Sequence, residues 1–67
     1  MRFGKLREEI RKNYRTLRDF AKAADMDYVS LSRRLNGQQE FRRNEIERIC
    51  GLLDIPGTRI WEYFFYN

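Results

Sequence analysis

The sequence predicts an all-α domain of about five short helices. Three observations lead there. Apolar residues recur three and four positions apart, which gathers them on one face of a helix. Residues that start or stop helices punctuate those stretches: Thr16 and Asp27 in front, Asn36-Gly37 and Pro56-Gly57 behind. No segment alternates polar and apolar residues well enough for a strand, although Tyr63 to Tyr66 is aromatic enough to suit one.

The first helix is expected from Gly4 to about Asn13. Leu6 and Ile10 face inward, and Phe3 joins them. Lys5, Arg7, Glu8, Glu9, Arg11 and Lys12 cover the outside. Glu8 and Lys12 stand in the favoured i,i+4 order, worth about 0.2–0.5 kcal/mol. Glu8 and Glu9 are adjacent and point apart, as solvated charges rather than a catalytic pair. Asn13-Tyr14-Arg15 is the connector, with Tyr14 on the edge of the core.

Thr16 to Gly37 is the stretch that organises the rest. Thr16 caps a helix whose apolar face is Leu17, Phe20, Ala21 and Ala24. Asp25 and Met26 break it. Asp27 caps a second helix from Tyr28 to about Leu35, with Leu31 and Leu35 on its inner face. Asn36-Gly37 supplies a left-handed stop. Two short helices joined by so tight a break form a helix-turn-helix, whose second helix can enter the DNA major groove.

Gln38 to Arg42 reads as a polar loop in which Phe41 plugs the core. Asn44 is the expected cap of the next helix, where Ile46, Ile49, Cys50 and Leu53 repeat at i, i+3, i+4 and i+7. Cys50 lies within that stripe and reads as a buried thiol rather than a redox group. Asp54-Ile55-Pro56-Gly57 ends the helix. Thr58 is expected to cap a last one, with Ile60 and Phe64 on one face and Trp61 and Phe65 on a neighbouring one.

The chain has 67 residues, the size of a single domain. A chain this short buries only about 60% of its unfolded surface. Its core supplies a net stability of roughly 3–5 kcal/mol, so a partner that buries more apolar surface would help. The net charge is +4, and eleven of the fourteen cations are arginine. The planar guanidinium fork suits phosphates and base edges, though the same charge also fits a merely soluble surface. One cysteine cannot make an internal disulfide, which fits a reducing cytoplasm. No apolar run has the length of a membrane span or signal peptide.

The fragments LSRRLNG, EIERICGLLDI and EYFF, in that order and spacing, resemble the Cro/repressor family and its small Cro-like members from phages and prophages of Gram-positive bacteria. The resemblance runs from about Lys5 to Phe64. Ala21 matches the small residue at the crossing of the two helices, Leu31 the buried aliphatic, Asn36-Gly37 the helix end, and Asn44 to Ile55 the helix that follows. It implies a lambda-repressor-like bundle. Two positions depart from it. Asp25 stands where glycine is usual, at about 1–2 kcal/mol if its backbone is left-handed. Leu17 stands where a phosphate-binding Gln is common, so that contact passes to Arg18 or to the amide of Leu17.

The resemblance also implies a site. Tyr28, Val29 and, one turn on, Arg33 occupy the positions that reach base edges. Val29 packs against a thymine methyl, and Arg33 forks onto a guanine for roughly 1–3 kcal/mol of discrimination. Tyr28 has two uses open to it: touching DNA, or packing against Phe20 and Leu31. Arg18, Ser30, Ser32, Arg34, Asn36, Gln38, Arg42 and Arg43 are the expected backbone contacts, which position the protein without reading sequence. Asp25 and Asp27 bring negative charge to the same face. Specificity would come from a homodimer on a near-palindrome with half-sites about 34 Å apart. Trp61, Phe65 and Tyr66 are the expected dimer contacts, unless they fold back on their own core.

The function expected is that of a repressor that occludes operator DNA, since the chain holds no room for an effector domain. The alternative is a protein-interaction module, an anti-repressor or modulator, that keeps the fold with weak or no DNA binding. An enzyme is not expected: there is no histidine and no phosphate-binding loop. No cofactor, metal or small-molecule ligand is expected either.

Overall fold

A computed structural model of the chain describes residues 2–65. Five α-helices run α1 (Gly4–Asn13), α2 (Leu17–Ala23), α3 (Tyr28–Leu35), α4 (Arg43–Leu53) and α5 (Ile60–Phe64), with a 3-10 turn at Gly57–Arg59. There is no strand among the described residues, and Tyr63 and Phe64 lie in α5. None of these helices is long and apolar enough to cross a membrane. α1 packs against α2, α4 and α5, and the principal neighbour of α3 is α2.

The core is the set the periodicity picks out. Leu6, Phe20, Ala24, Leu31 and Ile49 have no exposed surface, and Ile10, Ala21, Leu35, Cys50, Leu53, Ile55, Tyr63 and Phe64 are buried around them. Burial raises the Cys50 thiol above its ordinary range by desolvation. Tyr14 sits half-buried on the edge, its ring 4.9 Å from that of Phe20 in a T-shaped pair. Phe41 closes the bottom of its loop between Phe3 and Phe64, with centroids 5.3 and 5.2 Å away.

Three helix ends share one device. After α2, α3 and α4 the chain turns through a left-handed residue: Asp25 (φ 56), Gly37 (φ 79) and Asp54 (φ 55). The next amide then reaches back five residues: Met26 N–H to the Ala21 carbonyl, Gln38 to Arg33, and Ile55 to Cys50, at 2.8–3.0 Å. This satisfies carbonyls that a helix end leaves without partners. Only one of the three positions is glycine, so the two aspartates carry a local backbone cost.

Three details differ from the sequence expectations. α4 begins at Arg43, one residue before Asn44, because the Glu45 carboxylate accepts the Arg42 backbone N–H at 2.8 Å and closes the helix start. Thr58 does not cap α5: it lies inside the 3-10 turn, and Arg59 precedes the helix without a side-chain cap. Lys12 pairs with Glu9 at 3.5 Å rather than with Glu8.

Candidate nucleic-acid interface

Helix α3 starts at Asp27, whose carboxylate accepts the Ser30 amide at 3.2 Å. Eight residues follow at about 100° each, which sorts them into two faces. Leu31, Arg34 and Leu35 turn inward and are buried. Val29 and Arg33 turn outward, and Asn36, just past the helix, continues that line. Val29 is 49% exposed, a large fraction for a valine on a short helix in a core-poor domain. Arg33 and Asn36 are exposed as well, while Ser30 and Ser32 flank them half-buried. The outward face therefore offers one methyl-bearing contact, one fork of donors and two small hydroxyls.

Tyr28 takes up the packing that was one of the two uses open to it. It is half-buried against the core. Arg18, reaching from α2, lies over its ring at 4.1 Å. A guanidinium over an aromatic face is held there by the ring quadrupole, worth about 0.5–1 kcal/mol at an exposed site. The pair sets one cation where α2 meets the start of α3.

The turn between the helices is Ala24, Asp25, Met26 and Asp27. Thr16 opens α2 by accepting the Asp19 amide at 3.1 Å. Asp25 has the left-handed backbone usual for glycine at such a turn, so its side chain is kept at the expense of conformation. Both Asp25 and Asp27 are exposed.

Arg34 is not a backbone contact, contrary to the sequence expectation. Only 7% of it is exposed. Its Nε donates to Glu45 Oε1 at 2.8 Å, and its Nη1 donates to the Ser30 carbonyl at 3.1 Å and to Gln39 Oε1 at 3.2 Å. Removing a charge from water is costly, and a side chain buried this way stays put only with its partners. Arg34 is thus the bolt between α3, the following loop and α4.

Arg7 has a role that the sequence reading missed. Its Nη2 donates to the Leu35 carbonyl at 3.0 Å and to Asn36 Oδ1 at 2.9 Å, and its Nε to the Arg2 carbonyl at 3.0 Å. A cation at the C-terminal end of α3 favours the helix dipole and ties α1 to it. No local spacing signals a contact between residues so far apart in the chain.

Gln38, Arg42 and Arg43 are exposed beyond the end of α3. Arg43 lies 3.6 Å from Glu47, with both side chains largely in solvent. Trp61 and Phe65 expose 57% and 66% of their surface. Tyr66 lies outside the described residues.

The fold is a small all-α bundle in which α3 keeps an exposed outward face. The chain belongs, over residues 1–67, to a family described as a protein of unknown function (DUF739). No curated protein and no solved structure matches the chain.

Proposed function

We propose that this domain binds duplex DNA in a sequence-specific manner, with α3 in the major groove, and acts as a Cro-like repressor by occluding operator DNA. The observation that carries this reading is the outward face of α3. Val29, Arg33 and Asn36 lie in one line on a capped helix, and Val29 keeps half its surface in water with no core to pack on. Helix α2 and the turn at Asp25 make the helix-turn-helix of a lambda-repressor-like bundle, in which Arg33 forks onto a guanine and Val29 meets a thymine methyl. Arg18, Ser30, Ser32, Asn36, Gln38, Arg42 and Arg43 serve the phosphates. A net charge of +4 supports attraction to a polyanion.

One domain reads only a few base pairs, so the working form is a homodimer on a near-palindrome. The exposed rings of Trp61 and Phe65 support a two-fold contact at the α5 end. A second reading, a modulator of another repressor on the same fold, draws on the exposed carboxylates of Asp25 and Asp27, which oppose phosphate.

Selection of bound sites from a random duplex pool at low salt separates the two. The repressor reading expects an enriched inverted repeat and, for Arg33→Ala, a loss of preference at one base pair of each half-site, about 1–3 kcal/mol. A pool that emerges unenriched favours the modulator.

A further inference from the structure

Between α1 and the α2–α3 pair lies a cleft of about 170 Å³ whose lining includes Arg7, Arg11, Arg15 and Thr16. Ile10, Leu17 and Leu35 also line it, and no carboxylate does. The arginine stems can lie along those apolar side chains while their heads stay in water. Arg7 is occupied with the end of α3, as described above. Arg11 and Arg15 are exposed and make no ion pair with any carboxylate among the described residues.

This row is continuous with the outward face of α3. Asn36 closes the line of Val29 and Arg33, and Arg7 donates to the Asn36 side chain. From Arg7 the basic surface runs on to Arg11 and Arg15 and ends at Thr16, ahead of α2. A surface with three guanidinium groups, no carboxylate and a direct connection to a base-reading face suits a phosphodiester strand leaving the groove.

We propose that Arg11 and Arg15, with Thr16 beside them, form a second track that grips the sugar-phosphate backbone flanking the half-site read by α3. The track adds affinity without sequence information. It rests on the reading of α3 as a DNA-binding helix. Its cargo is the polyanionic backbone of the same duplex.

The test is the salt dependence of binding to a duplex carrying the selected site and to a random-sequence duplex. Each phosphate contact removed lowers the slope of log Kobs against log salt by about 0.9. The variant R11Q/R15Q is expected to lower the slope on both duplexes by about 1.8 for each bound protomer, about 3.6 for the homodimer, and to leave the selected base preferences unchanged. Arg11→Lys with Arg15→Lys is expected to keep the slope, which separates charge from fold. Thermal unfolding of each variant confirms that it is folded. A wild-type protein that binds DNA while R11Q/R15Q keeps the wild-type slope overturns the track and leaves the α3 reading standing. Altered base preferences in R11Q/R15Q overturn it too. A wild-type protein that binds neither duplex overturns both.

Discussion

Arg34 shows how a single residue changes sides. On α3 it stands between two leucines of the inner face, and its guanidinium is met by Glu45 from the next helix. Truncating one partner leaves a buried charge unanswered, at about 3–5 kcal/mol. That equals the whole stability expected of so short a chain, roughly 3–5 kcal/mol. Arg34→Ala should therefore unfold the domain, seen as loss of the helical circular-dichroism signal at room temperature. Arg34→Met combined with Glu45→Leu should recover part of that signal, because a well-packed apolar pair replaces the buried ion pair at little cost while α4 loses the closure that Glu45 gives its start.

Asp25 allows a prediction of the opposite sign. Its left-handed backbone disfavours any side chain, so Asp25→Gly should raise stability by up to about 1 kcal/mol, read as a higher thermal midpoint. The same change removes an exposed negative charge beside α3 and should tighten DNA binding.

Glu62 adds a pH dependence. Its carboxylate is held at about 2, first by the hydrogen bond from Arg59 and then by that from Lys5. A pKa lowered by folding stabilises the native state above the ordinary value of 4.5, and that contribution is lost as pH falls from there toward 2. The thermal midpoint of the wild type should fall over this range more steeply than that of Glu62→Gln.

At the scale of elements, most of the fold was legible because the cues were local. Leu6 with Ile10, and Ile49 with Cys50 and Leu53, lie at helical spacing, and these residues are the ones the structure buries. Thr16 and Asp27 cap where their side chains and positions predict. The failures came where a partner across the structure decides the outcome. The start of α4 is set by the Glu45 carboxylate rather than by Asn44, and Thr58 is drawn into a 3-10 turn. Arg7 and Arg34 look alike in the sequence as surface cations, yet both hold α3 in place through residues beyond its own length. A helical wheel of α3 alone shows Arg34 on the inner side; only the fold supplies Glu45. Of the candidate site, Val29 and Arg33 keep the exposed positions expected of them, and Tyr28 combines partial burial with a cation over its ring. Cys50, buried in α4, should resist alkylation in the native protein and react once denaturant is added, as measured by mass.

At the scale of the whole molecule, two surfaces stand out. One is the outward face of α3; the other is the α5 end, where Trp61 and Phe65 expose their rings. A homodimer built on those rings should appear as a concentration-dependent mass in sedimentation equilibrium, and Trp61→Ala with Phe65→Ala should leave a folded monomer. Loss of that dimer should weaken binding to a palindrome far more than binding to a single half-site.

The most direct measurement is an amide-resolved NMR titration of the domain with a short duplex in low salt. The largest shifts should fall on Tyr28 to Arg33 and fade as salt is added. Shifts confined to α5, or no shifts at all at a duplex concentration in large excess, would contradict the reading of α3 as a DNA-binding helix.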